Sequence, residues 1–241
     1  MINKYFCEAV SLCSLAYAKN KVIERGLFHK GYVDIHFIEK KLYKGFIAYN
    51  PSDNKCYLAL SGVPPGTFLR SGVQLLTWKL QSHNNSKVYS TFLYHADSLK
   101  DILDSYIEKY PTASFMYTGH SLGAAICTIL CLHKAPTMLV TYGSPKVGDK
   151  HFVRNLDKLK INHFRFVACN DDVTTLPLWC YGLKHHGAEI YINFYGHIRD
   201  STKFQKSKDK FRAKISMNKA HSIYKAHNID NYYYKILKAY R

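Results

Sequence analysis

The residues with the clearest chemical reading are Gly119-His120-Ser121-Leu122-Gly123. A serine with a glycine two positions to either side suits a turn so tight that larger side chains there would collide. The run before it, Ser114 to Tyr117, reads as a buried strand. Ala124, Ala125, Ile126, Ile129, Leu130 and Leu132 after it read as an apolar helix. Such a strand-to-helix turn lifts the Ser121 hydroxyl above a sheet. It also aims the helix N-terminus, with the Leu122 amide, at the group under attack. The chemistry is acyl transfer to a serine, which needs an imidazole base and a carboxylate to fix that base's tautomer.

In the chain order that follows such a turn, the acid comes next and the histidine last. Asp171 and Asp172 directly follow a strand-like run, Asn162 to Ala168, and catalytic loops gather at the C-terminal ends of strands in open α/β sheets. Either aspartate fits. Five histidines follow: His185, His186, His197, His221 and His227. His227 stands just before a helical pattern in which Ile229, Tyr232, Tyr233, Ile236 and Leu237 share one face. His221 lies six residues earlier, and one helix carrying both would point them about 240° apart. The residues alone leave His227 and His221 both open.

The elements that must position these groups can be read along the 241 residues. Strand-like runs occur at Tyr32–Ile38, Tyr43–Tyr49, Lys55–Leu60, Ser114–Thr118, Met138–Tyr142, Asn162–Ala168 and Ala188–Tyr195. Helical patterns fall near 5–18, 96–109, 122–134 and 228–239. Strands interleaved with helices in the middle of the chain predict an α/β fold with a central, mostly parallel sheet flanked by helices. The first three strands follow one another closely, which predicts an antiparallel meander at one edge. The length suits a single domain, and no linker or repeat divides the chain.

Composition bounds the setting. No run of eighteen apolar residues occurs, so no transmembrane helix is expected. Tyr5 to Ala18 ends in Ala16-Tyr17-Ala18, like a signal-peptidase site, but Glu8 interrupts it. Phe6, Val10, Cys13 and Tyr17 recur at helical spacing, so a structural helix is the preferred reading. Seven cysteines without tight pairing or zinc spacing read as buried free thiols rather than a disulfide framework. Together these predict a cytoplasmic location, with secretion as the lesser alternative. The net charge is +17, and residues 199–241 carry twelve Lys/Arg against three Asp, a net of +9. A basic surface of this kind can meet anionic lipid headgroups. No recognisable nucleic-acid-binding module accompanies it, so no nucleic acid partner is expected.

Several motifs in register resemble those of the class 3, or fungal-type, lipases of the α/β-hydrolase superfamily. They are Val88-Tyr89-Ser90-Thr91-Phe92, Tyr110-Pro111 and Thr118 to Ala125, then Tyr142 to Gly148, Asn170 to Pro177 and His185 to Tyr191. The resemblance implies a serine hydrolase acting on lipid esters through a Ser-Asp-His triad and an acyl-enzyme. The alternative is a lipase-fold binding or signalling module with little turnover. It implies Ser121, Asp171 and His227 as the triad, because Asp171 follows Asn170 and His227-Asn228-Ile229-Asp230-Asn231-Tyr232 fits the family's histidine-bearing helix. It implies an oxyanion hole from the amides of Leu122 and Val63, and no metal or cofactor. It also implies a lid over 64–80. Leu60-Ser61-Gly62-Val63 departs from the family pattern, which places an Arg in this stretch and a Ser or Thr at the position of Val63. Loss of an oxyanion donor costs on the order of 3 kcal/mol. The oligomeric state is not indicated.

Overall fold

Alternation with period two decides the layering of this molecule. A computed structural model describes residues 2–64, 79–177, 182–216 and 226–240. Seven strands form one sheet: β1 (Val33–Glu39), β2 (Lys44–Asn50), β3 (Lys55–Leu60), β6 (Ser114–His120), β7 (Met138–Tyr142), β8 (Asn162–Ala168) and β9 (Ala188–Ile192). Their spatial order is β1-β2-β3-β6-β7-β8-β9, with β1, β2 and β3 antiparallel and β3 through β9 parallel. This is the expected mostly parallel α/β sheet with an edge meander. Two more strands, β4 (Leu80–His83) and β5 (Ser86–Tyr89), make a separate hairpin.

Both sheet faces are covered. Ile47, Leu58, Leu60, Phe115, Tyr117 and Leu139 point to one side, where they meet α3 (Ser90–Asp97), α4 (Lys100–Lys109), α5 (Leu122–Leu130) and α6 (Lys150–Asp157). Phe46, Ala48, Tyr57, Ala59, Met116, Val140 and Phe166 point to the other. There they meet α1 (Ile2–Leu15), α2 (Asn20–Phe28) and α8 (Ile229–Tyr240). Successive strand residues serve opposite cores, as burial of both faces requires.

The N-terminal segment is the structural helix expected, shifted to 2–15. Ala9, Val10, Leu12 and Cys13 are fully buried. Glu8, the residue that interrupts its apolar run, accepts a 2.7 Å hydrogen bond from the Tyr32 hydroxyl. The helix expected over 96–109 is instead two helices. The Ser98 hydroxyl donates to the His95 carbonyl at 2.8 Å and takes the acceptor that the Leu99 amide would use in a continuous helix. The last strand stops at Ile192, short of the expected Tyr195. Helices α2, α6 and a basic helix α7 (Lys203–Ser216) were not expected. The segment expected as a lid, 64–80, lies outside the described residues except at its ends, and so does His221.

Candidate active site

The turn between β6 and α5 carries the constellation. Ser121 sits at φ 54° and ψ −119°, a region that side-chain-bearing residues rarely adopt. A β-carbon at Gly119 would lie 2.6 Å from the Gly123 carbonyl group. One at Gly123 would lie 2.4 Å from the Ser61 carbonyl oxygen and 2.5 Å from that of Leu60. The two glycines therefore serve different contacts. Gly119 lets the turn close on itself, and Gly123 lets α5 rest on the end of β3.

Ser121, His227 and Asp171 form one hydrogen-bonded line. The Ser121 Oγ lies 2.7 Å from His227 Nε2, and His227 Nδ1 lies 2.9 Å from each Asp171 carboxylate oxygen. Their exposures are 6%, 8% and 2%, so the line is shielded from bulk water. Asp171 also accepts from the Val173 amide at 3.1 Å, as the cap of a short 3-10 turn over Asp172–Thr175. Asp172, the alternative acid, is exposed on that turn. His227 directly precedes α8, as expected.

Three neighbours in this line have roles that composition and spacing did not announce. Tyr232, one turn into α8, donates its hydroxyl to Asp171 Oδ2 at 2.5 Å and accepts from the Ala168 amide at 3.2 Å. Burial, with the Asp171 charge added, pushes its phenol well above the usual range, so it remains a donor. Gly143, at φ 57° after β7, leaves room for the pair. A β-carbon there would lie 2.7 Å from Asp171 Oδ2 and 3.0 Å from the His227 ring. Lys146, three residues on, donates to the carbonyls of Thr175 and Pro177 at 2.8 and 2.9 Å and ties the loop of Asp171 to the loop after β7. A glycine at the C-terminal end of a central parallel strand was the available signal for Gly143.

On the other side of Ser121 the end of β3 closes in. A β-carbon at Gly62 would lie 2.7 Å from Ser121 Cβ and 2.8 Å from the Tyr17 hydroxyl. The Gly62 amide donates to Tyr17 Oη at 2.6 Å, and Tyr17 in turn donates to His120 Nδ1 at 2.6 Å. That leaves the His120 proton on Nε2. The His120 ring lies 4.6 Å from the His227 ring, centroid to centroid. Burial first, and the neighbouring His227 second, hold His120 well below the usual histidine range, so it stays neutral beside His227. Val63 and Leu122, the expected oxyanion donors, are both buried next to this junction. Neither amide donates to an acceptor among the described residues. The Ser61 hydroxyl is engaged, accepting from the Lys44 amide at 2.9 Å and donating to the Gly62 carbonyl at 3.0 Å.

Known proteins share this arrangement of elements. Residues 67–181 match the family model described as lipase (class 3). A secreted mono- and diacylglycerol lipase 1 of Fusarium solani is 33% identical over 87 residues, covering 34% of this chain and 26% of that protein. A secreted mono- and diacylglycerol lipase A of Penicillium cyclopium is 27% identical over 170 residues, covering 66% of this chain and 54% of that protein. The chain thus spans between a quarter and just over half of the length of these relatives. Among solved structures, a mutant form of MDLA from Penicillium cyclopium superposes with a TM-score of 0.68 over 93% of both chains at 19% identity. A lipase from Rhizopus microsporus var. chinensis superposes with 0.65 over 79% of this chain and 74% of that one, at 20% identity. The expected cytoplasmic location is overturned by these names. The relatives from F. solani, P. cyclopium and P. camembertii are all called secreted. The expectation leaned on reading Tyr5 to Ala18 as a structural helix rather than a signal, on the lack of a transmembrane run, and on unpaired cysteines, but Cys13, Cys56, Cys127 and Cys131 are buried. A buried thiol escapes oxidation in any compartment, so it reports packing and not location.

Proposed function

We propose that this chain is a class 3 lipase of the α/β-hydrolase superfamily, the family whose model matches residues 67–181, and that it is a serine hydrolase that cleaves carboxylic esters of lipids. The observation that carries the reading is the 2.7 Å contact of Ser121 Oγ with a His227 whose other nitrogen faces Asp171. Ser121 is the nucleophile, His227 the base and Asp171 the group that fixes the imidazole. His227 Nε2 takes the hydroxyl proton as Oγ bonds to the ester carbonyl carbon, and the carbonyl π pair moves onto its oxygen. The amides of Leu122 and Val63 stabilise that oxyanion, with the N-terminal end of α5 behind Leu122. The pair then returns, the alkoxy C–O bond breaks, and the leaving alcohol takes the proton from His227. Water repeats the sequence on the acyl-enzyme. It gives up its proton through His227 and releases the fatty acid, and Ser121 regains its hydrogen.

Neutral His120 matters in both halves. A cation 4.6 Å from His227 would oppose formation of the imidazolium. Residues 1–241 act in this reading as one catalytic unit, with the basic 199–241 segment turned to an anionic lipid interface. The secreted location of the relatives carries over to this chain as part of the same proposal.

Replacing Ser121 by Ala should abolish hydrolysis of a fatty-acid ester, while far-UV circular dichroism stays unchanged. Persistent hydrolysis by that variant would remove Ser121 from the role. A second reading, a lipase-fold module with little turnover, is favoured by the Ser61-Gly62-Val63 stretch. Its only hydroxyl is bound to Lys44 and Gly62. A serine-directed fluorophosphonate separates the two: covalent labelling at Ser121 requires an active nucleophile, and an inert scaffold stays unlabelled.

A further inference from the structure

Helix α7 presents an unusual outer face. Phe204, Phe211 and Ile215 are 68%, 65% and 70% exposed, and at 100° per residue they fall within about 40° of one another. Ala213 and Asp209, the buried residues of the helix among those described, fall on the opposite side. Single exposed apolar residues are ordinary, but three in one stripe on one helix are not. Phe211 and Ile215 join Phe194, Lys208 and Arg212 around an open apolar depression of about 490 Å³. Of the other large exposed apolar side chains, Phe28, Tyr94 and Tyr234 stand on separate helices, and Val33 and Leu80 on strands.

The stripe is set among cations. Lys208 Nζ lies 4.5 Å over the Phe204 ring, and the Arg212 guanidinium lies 6.0 Å from the ring of Tyr195, itself 60% exposed. Lys203 is exposed at the start of the helix. The one acid of the helix, Asp209, is turned inward to Tyr191 at 3.5 Å and to Arg212 at 3.9 Å. Aromatic and aliphatic anchors amid lysine and arginine, with the acid withdrawn, are what an interfacial helix uses against anionic lipid. A partner protein would have to offer an acidic apolar groove, whereas a lipid surface offers both features at every point.

Position supports the same occupant. Ala213 packs on Cys169 and Tyr191 with Phe194 alongside, at the C-terminal ends of β8 and β9. Cys169 is two residues before Asp171, so α7 stands at the end of the sheet where the triad opens.

We propose that α7 is a membrane-docking helix, in which Phe204, Phe211 and Ile215 insert into a lipid surface bearing anionic headgroups while Lys203, Lys208 and Arg212 hold those headgroups. The proposal rests on the lipid-ester reading for its purpose but not for its test. Sedimentation of the full chain with phosphatidylcholine vesicles, with and without phosphatidylglycerol, measures docking, and hydrolysis of a water-soluble short-chain ester measures the triad. Binding should require the anionic lipid and weaken as salt is raised. The combined substitution Phe204→Ser, Phe211→Ser and Ile215→Ser should lower binding by about tenfold or more, and Lys208→Glu by about fivefold. Soluble-ester hydrolysis should be unchanged in both variants. Equal vesicle binding by wild type and the triple variant overturns the proposal. So does wild-type indifference to anionic lipid, or a stripe whose loss instead dissolves a dimer seen by light scattering. Failure of the wild type to cleave the soluble ester would sink the hydrolase reading and leave the docking result standing.

Discussion

Tyr232 shows how much of the site rests on a residue that cannot itself react. Its hydroxyl is the third polar contact to Asp171, after His227 and the Val173 amide, and it also takes up the Ala168 amide. Phenylalanine in its place keeps the ring but leaves a carboxylate oxygen and a backbone amide short of a partner in a buried setting. Hydrogen bonds to charged groups are worth about 1.5–3 kcal/mol. The Tyr232→Phe variant should therefore unfold at lower temperature by calorimetry. It should also lose about tenfold or more in kcat with KM little changed, because in the proposed mechanism Asp171 orients the base and does not bind substrate. An unaltered kcat would make Tyr232 only a packing residue. At this scale the sequence carried the proposed nucleophile plainly, since Gly-x-Ser-x-Gly between a strand and a helix has a steric cause. It did not separate Asp171 from Asp172 without the family motif. Both are polar turn residues, and only folding shows which one caps the turn inward. Tyr17 was beyond reach for a different reason: its contacts to Gly62 and His120 span 45 and 103 positions.

The elements differ in how openly their sequences declared them. All seven strands of the main sheet were legible; those in its middle are buried on both faces and must be built of continuous apolar and β-branched runs, while the edge strand β1 shows instead a run rich in Val and Ile. Three helices were not. In α7 the apolar residues face solvent, which inverts the usual sign of the pattern, and α2 and α6 bury only two side chains each along eight or nine residues. The hairpin of β4 and β5 was not read from the sequence: its strands are too short and exposed to stand out, although Asn84-Asn85, with φ values of 48° and 57°, form its tight two-residue turn. The junction of α5 with β3 is where an element-scale test is sharpest. Alanine at Gly123 would meet two carbonyl oxygens that cannot move without unpairing β3, so Gly123→Ala should cost about 3 kcal/mol or more and most of the activity. Asp149→Ala is the matched control. Asp149 caps α6 by accepting from the His151 and Phe152 amides at 2.9 Å. Its loss should cost about 1 kcal/mol in urea denaturation and leave hydrolysis intact. Equal penalties in the two variants would mean that α5 can slide on β3, and the steric account of the turn would fail.

Across the whole molecule, charge and burial act against each other. The chain carries +17, yet it buries a group of imidazoles beside a guanidinium. His163 and His186 face each other at 2.9 Å between their Nδ1 atoms, and His185 donates to the Thr174 carbonyl at 2.8 Å. Arg165 is held among them by Glu189 at 3.3 Å, and Lys206 balances Glu189 from α7 at 2.6 Å. Burial pushes His185 down to about 4, with Arg165 and Lys146 adding to the effect. Burial likewise holds His163 well below the usual range and lowers His186. In the unfolded chain these imidazoles take up protons near pH 6.5. Between pH 6.5 and about 4 the unfolded state therefore binds more protons than the folded one, and stability falls as pH falls through that window. For His185 the drop from 6.5 to about 4 corresponds to about 3 kcal/mol, and His163 and His120 act with the same sign. Glu189, held below its usual range by Lys206 and Arg165 against its own desolvation, loses its contribution only below about pH 4.5, so the histidine effect comes first. Calorimetry from pH 8 to 4.5 should show a melting temperature that is level above pH 7 and declines steadily from about pH 6.5. The His185→Gln variant keeps a donor for the Thr174 carbonyl without a titrating group, and its decline should be shallower. A melting temperature flat between pH 7.5 and 5 would show that protonated imidazoles are accommodated in the fold.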